Sequence, residues 1–224
     1  ALRPFSGPAQ ASLLGRPERV DALHAALLNG ISSHVLDFDD THLKTVIHPA
    51  GPVASAILAL AETRPVSGRD FLHALVLGAE VECRIGNAVY PAHYDRGWHI
   101  TGTTGVFGAA AASGRLLGLS EQQMRWALGL AAVQPVGLRE MFGSMTKSFH
   151  PGRAAQNGLT AEKALLTTPP LDIIAADAAT LKAAAAYSDA EDALRSRLPD
   201  ALFDRSAQRY AEADFVTRQY PRVA

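Results

Sequence analysis

Apolar residues in this sequence recur at steps of three and four, and runs that alternate every second residue are nearly absent. A period near 3.6 buries a stripe on a helix, whereas a half-buried strand needs a period of two, so the expected fold class is all-α. Val20, Leu23, Leu27, Leu28, Ile31 and Val35 share one helical face and predict a helix running to about Leu36. Pro49 and Pro52 punctuate the chain before Val53, Ile57, Leu60 and Ala61 resume the same step. Ser67 followed by Asp70, and Ser120 followed by Gln123, are capping signatures that open two further helices, to about Tyr90 and through Ala131. Between them, residues 103–117 are rich in Gly and Ala. Gly102, Gly105 and Gly108 predict a helical face that a neighbouring backbone or a ligand can approach closely. Residues 136–149 read as a loop, with Pro151 in the first turn of a helix through Ala164.

The chain has 224 residues, of which 48% are hydrophobic, which is enough to bury a sizeable core. The expected division is a helical core domain over residues 1–166 and a helical C-terminal segment over 167–224, Ala-rich and charged, whose end shows no period. A net charge of -1 recommends neither nucleic acid nor an anionic membrane as partner, so any anion has to be held locally. The single cysteine, Cys83, excludes an internal disulfide and the thiolate set of an iron–sulfur or Cys-type zinc site. No apolar run reaches the roughly 20 residues of a membrane span, and the first residues lack the pattern of a leader, so the expected location is cytoplasmic.

Three clusters carry chemistry. Asp37, Asp39, Asp40, Thr41, His42, Lys44 and His48 crowd together directly after the first predicted helix. Adjacent carboxylates repel unless a cation compensates, and the histidines, Lys44 or a metal could do so; alternatively the segment is a solvated helix end whose Asp caps the next element. His99 precedes the Gly-rich helix start at Gly102, whose backbone N–H groups and dipole favour a carboxylate or phosphate. Lys147 and His150 stand three apart before Pro151. His24, His73 and His34 lie within or at the end of helices, where a structural role is expected, and His93 could line the same pocket as His99.

Several motifs compete for the acidic segment. Asp37-Phe38-Asp39-Asp40-Thr41 matches the D-x-D-x-T string of Mg²⁺-dependent phosphatases, but that string follows a strand in an α/β fold and here follows a helical period. The D-D-x-x-D of all-α prenyl-chain enzymes would need a carboxylate where Leu43 stands, and the His-Asp dipeptide of HD-type phosphohydrolases is missing. Five strings fit another pattern in order and approximate spacing: HVLDFDDTH, IHPAGPVASAILALAE, GAEVECRIGNAVY, GWHITGTTGVFGAAAASGRLLGL and GSMTKSFHPGRAAQNGLTAEKAL. Together, over roughly Leu14 to Leu165, they resemble the MmgE/PrpD family, which includes 2-methylcitrate dehydratase, cis-aconitate decarboxylase and iminodisuccinate epimerase.

That resemblance implies a helical domain carrying most of the pocket, a smaller α+β lid, and a metal-free, cofactor-free homodimer acting on a small polycarboxylate. Family members are longer at both ends, so most of the lid is expected to be lacking here. By motif, Asp37 and Thr41 fall on the pocket's acidic segment, His48 on the His-Pro after it, His99 on the Gly-Trp-His motif and Lys147 on the Met-Thr-Lys motif, with His150 three residues beyond. The chemistry so implied is proton transfer beside a carboxylate. His48 or His99 would be the base, Lys147 would hold a substrate carboxylate and the developing charge, and Asp37 would orient a histidine or lysine. Thr41, His42, Lys44, Gly102 and His150 would bind substrate. The expected activity is a metal-independent lyase, by dehydration or decarboxylation, with epimerisation as a variant. A non-catalytic helical assembly module and a Mg²⁺ phosphatase are the alternatives.

Overall fold

The structure is a computed structural model, and it describes residues 3–167. The helical expectation for the remainder of 167–224 lies outside the described residues. Seven helices account for most of the described chain, as the three- and four-residue steps require. The first, α1 (Ala22–His34), begins at Asp21, whose carboxylate accepts hydrogen bonds from the Leu23 and His24 N–H groups. It ends two residues before the predicted Leu36. The second, α2 (Ala50–Ala61), starts immediately after Pro49. Ser67 caps α3 (Gly68–Val89), and the reciprocal Ser120–Gln123 capping box opens α6 (Glu121–Ala132). One turn, α4 (Ala92–Asp95), leads to the Gly- and Ala-rich α5 (Ile100–Leu117), which Gly118 terminates in the left-handed conformation at φ 70°.

Two features depart from the sequence reading. A two-residue antiparallel hairpin, β1 (Ala11–Ser12) with β2 (Arg19–Val20), precedes α1. It is too short to show alternation, and Glu62 at the end of α2 holds it by accepting bonds from Ser12 N and Arg19 Nη1 at 2.8 and 2.7 Å. The second departure is α7 (Thr146–Thr167), which begins five residues before Pro151 and so includes Lys147 and His150. Ser144 makes this start possible: its Oγ accepts from Thr146 N and its carbonyl from Lys147 N, both at 3.2 Å. Pro151 removes one ladder bond inside the helix, and close packing of this stretch against α1 and α2 compensates.

Helix α5 runs through the middle, packed against α7, α3, α2 and α6, while α1 lies across α7 and α2. Its glycines make this possible, though not as a single strip. Steps of three turn about 60° around a 3.6-residue helix, so each glycine meets a different neighbour. A Cβ on Gly105 would lie 2.7 Å from Pro52, one on Gly108 2.8 Å from the Gly78 carbonyl, and one on Gly102 2.3 Å from the Val136 carbonyl. All three positions are thus filled by protein. The α1–α7 crossing is equally close, with a Cβ on Gly30 falling 2.6 Å from Gly152 Cα. Ile57, Val53, Val106, Leu159 and many alanines are buried around these crossings. The alanines and glycines let the backbones approach closely at these crossings.

Candidate active site

The end of α1 delivers His34, whose side chain has no exposure. It continues the buried stripe that includes Leu27, one helical face for both. Three residues on, Asp37 adopts φ 54°, a left-handed conformation that costs a non-glycine residue about 1 kcal/mol or more. This turn folds the acidic segment back over the helix end. Asp39 Oδ2 then accepts a bond from His34 Nδ1 at 2.7 Å. Asp40 takes the capping role considered for this segment, since both its oxygens accept from Ala50 N at the start of α2, each at 3.1 Å. Burial raises its pKa, partly offset by that backbone bond.

His48 stands between these loops and α5. Its backbone N–H donates to Thr101 Oγ1 at 3.2 Å, its Nδ1 donates to the Asp40 carbonyl at 2.9 Å, and the same nitrogen lies 3.0 Å from Asp39 Oδ1 without hydrogen-bond alignment. Thr41 Oγ1 sits 3.3 Å from it on the exposed side. His99 occupies the N-cap of α5, tied by its N–H to the Gly137 carbonyl at 3.0 Å. Its Nδ1 is 2.8 Å from His150 Nδ1, and Phe142 meets its ring edge-on at 4.9 Å. His34 lies 4.8 Å from His48 and 6.0 Å from His99 between ring centroids. From α7, Lys147 and His150 project from one face, three residues apart. Lys147 Nζ donates to Asp37 Oδ1 at 2.6 Å.

Asp37, His48, His99, Lys147 and His150 therefore surround one place, with Thr41 at its rim. His42 turns into its own loop, its Nδ1 2.7 Å from Thr45 Oγ1 and its backbone bridged to Ile47. Lys44 is exposed and, among the described residues, forms no ion pair. Gly102 meets the Val136 carbonyl and His150 Cβ, so its part is to let the 136–137 backbone and His150 close on α5. His93 donates to or accepts from Thr103 Oγ1 at 2.8 Å and stacks on Trp98. Asp39 was named by sequence only as one of the acidic cluster, His34 was expected to be structural, and Phe142 was not singled out. The available signal was a histidine on the buried stripe of α1, five residues from a carboxylate.

The electrostatics follow from burial. His99 is pushed down to about 2, first by burial and then by the positive charges that His150, His34, Lys147 and His48 would carry. It is a neutral imidazole at neutral pH. Burial also lowers His150. The hydrogen bond from Lys147 holds the Asp37 carboxyl below the usual range against a smaller opposing effect of burial. A cluster with a fixed ammonium, an imidazole pair and a further histidine held by a backbone carbonyl has the groups to bind a carboxylate and move a proton beside it. Donor atoms of His34, Asp37, Asp39 and His48 lie within 4.8 Å of one another, a set that could also hold a metal ion. No helix among the described residues is long and apolar enough to cross a membrane.

A family model for the MmgE/PrpD N-terminal domain matches residues 1–168. The cis-aconitate decarboxylase-like protein oryM of Aspergillus oryzae is 37% identical over 168 residues, covering 71% of this chain and 35% of that protein. The cis-aconitate decarboxylase of Aspergillus terreus is 33% identical over 166 residues, with 71% and 34% covered, and that of Homo sapiens is 35% identical over 164 residues, with 70% and 34% covered. The matched part of this chain thus spans about a third of each relative's length.

Proposed function

Because this chain belongs to the MmgE/PrpD family through that N-terminal domain, we propose that it is a metal-independent lyase acting on a small di- or tricarboxylate, with cis-aconitate the first substrate to test and 2-methylcitrate the second. The observation that carries this reading is the convergence of Asp37, His48, His99, Lys147 and His150 from three separate parts of the sequence. The decarboxylase relatives favour loss of CO₂ over the dehydration that the family resemblance equally allows.

In the decarboxylation, the bond between the substrate carbon and its departing carboxylate breaks, and its electron pair stays on the carbon framework as a carbanion conjugated with a remaining carboxylate. Lys147 holds that remaining carboxylate and stabilises the growing charge; Asp37 fixes the position of the ammonium. A proton then adds to carbon. His48 supplies it, because its Nδ1 is engaged by the Asp40 carbonyl and its Nε2, 3.9 Å from Asp37 Oδ1, is left toward the Lys147 side. His99 is held neutral and, with His150, offers a hydrogen bond in place of a charge. Dehydration would run the same groups in the other order, with a proton removed next to a carboxylate and hydroxide leaving as water. The active protein is proposed to be a homodimer located in the cytoplasm.

Turnover of cis-aconitate, 2-methylcitrate and iminodisuccinate by the full chain tests this. CO₂ release from cis-aconitate is expected, and His48→Ala, His99→Ala and Lys147→Ala should each lower kcat/KM by about two orders of magnitude or more. Full activity in all three variants would remove the assignment. Inactivity of a folded chain toward every substrate would favour the non-catalytic module.

A further inference from the structure

One carboxylate, Asp39, lies against two imidazoles, bonding the first and only approaching the second. Its Oδ2 accepts from His34 Nδ1 at 2.7 Å, and its Oδ1 lies 3.0 Å from His48 Nδ1. With both Nδ1 atoms turned toward Asp39, both Nε2 atoms face away from it and toward one further oxygen. Asp37 Oδ1 is 3.8 Å from His34 Nε2 and 3.9 Å from His48 Nε2. His34 Nε2 is buried and has no hydrogen-bond partner, which in a polar interior marks a place where a partner belongs. The cation now at this point is the Lys147 ammonium, 2.6 Å from Asp37 Oδ1.

Two imidazole nitrogens and a carboxylate oxygen about a common point are a ligand set for a borderline divalent ion, and an acceptor behind each Nδ1, the Asp39 carboxylate for His34 and the Asp40 carbonyl for His48, is the usual means of fixing the tautomer. Bonds of about 2.0–2.1 Å in a tetrahedral array put neighbouring donors about 3.3 Å apart. The observed 3.8 and 3.9 Å separations close to that value by a small movement of Asp37, whose side chain is 56% exposed. Hard ions are disfavoured, since Mg²⁺ and Ca²⁺ prefer all-oxygen shells.

We propose that His34 Nε2, His48 Nε2 and Asp37 form a binding site for a transition-metal dication of the zinc or cobalt class, entered only by displacing the Lys147 ammonium from Asp37. Metal and ammonium then exclude each other, so the ion antagonises the proton chemistry of the same pocket. The family resemblance implied no metal, and the Mg²⁺ motifs weighed for this segment share only Asp37 with this set and use neither histidine. The proposal rests on the same pocket as the lyase reading, but its test needs no substrate.

The probe is Co²⁺ alone, titrated into the full chain carrying Cys83→Ser to remove the one thiol, with visible ligand-field absorption as readout. One equivalent should develop the intense bands of four- or five-coordinate cobalt, displaceable by Zn²⁺. His48→Gln and Asp37→Asn should each weaken binding by about ten- to a hundredfold. Lys147→Met should tighten it by about tenfold or more by removing the competing charge. The proposal is overturned if cobalt keeps the weak spectrum of the hydrated ion, if both ligand variants bind as the parent does, or if Lys147→Met leaves affinity unchanged or lower. Helical circular dichroism of each variant establishes folding. A chain that binds cobalt as expected but turns over no polycarboxylate supports this site and removes the lyase reading, and the reverse result does the opposite.

Discussion

A buried imidazole bonded to another imidazole must be neutral on at least one side of the contact, and His99 and His150 meet Nδ1 to Nδ1 at 2.8 Å. One ring donates from Nδ1 and the other accepts there, so one Nε2 carries a proton and the other a lone pair. Nitrogen-15 NMR should find His99 neutral from about pH 5 to 8, with clearly unequal nitrogen shifts. The consequence for stability has a definite sign. Its folded value, about 2, lies below the ordinary 6.5, so between the two the unfolded chain binds a proton that the folded chain refuses. The contribution is complete above about pH 6.5 and is lost as pH falls, by up to about 1.4 kcal/mol per pH unit. Urea unfolding at pH 7.5 and 5.5 should therefore show a smaller loss of stability in His99→Gln than in the parent; an equal or larger loss would mean that His99 is charged when folded. Residue types made His99 legible in the sequence. His34 was passed over because a histidine at a helix end has many ordinary uses, and only the fold shows Asp39 returning to it.

Local chemistry at helix ends explains which elements could be read. The pairs Ser67–Asp70 and Ser120–Gln123 stand next to apolar stripes and cap α3 and α6 as read. The start of α7 was misplaced because Pro151 fits a first turn so well; the cap is Ser144, seven residues earlier, and no stripe marks the intervening turn. That shift matters functionally, since it converts Lys147 and His150 from loop residues into neighbours on one helical face. At α1, Asp21 does more than cap. It also accepts from Ser6 Oγ and Gly7 N, linking the N-terminal segment to the helix. Burial would raise this carboxyl, but the bonds from Ser6, the His24 and Gly7 N–H groups and the His24 side chain outweigh it and hold it well below 3.8. A carboxyl lowered on folding stabilises fully above its unfolded value, and that stability is lost only as pH falls through the folded one. Asp21→Ala should thus cost about 1–2 kcal/mol at pH 7, a fall in melting temperature of roughly 2–8 °C. In thermal scans the gap between variant and parent should narrow only in strong acid; a gap already closed at pH 5 would contradict the lowered value.

For the molecule as a whole, the candidate site and the helix crossings are one structure. Lys147 reaches Asp37 across 110 residues, and His150 reaches His99 across 51. Spacing in a sequence cannot state such a convergence. The order of the five motifs identified the family, while the geometry came from α7 lying at once on α1 and α5. The far part of that packing can be perturbed without touching a site residue. A Cβ on Gly158 would fall 2.5 Å from Ala109 Cβ and 2.8 Å from Ala110 N, so Gly158→Ala forces α5 and α7 apart at an estimated 1–3 kcal/mol. Both tryptophans of the chain lie among the described residues, Trp98 beside the site and stacked on His93, Trp126 on α6. Fluorescence from versions retaining either Trp98 or Trp126 alone therefore reports on these helices and not on the tail. If site and bundle fold as one, the two versions should share a urea midpoint, and Gly158→Ala should lower both equally with an unchanged m-value. A Trp98 transition that stays in place while that of Trp126 moves would separate the site from the crossing and leave its assembly to the surrounding loops alone.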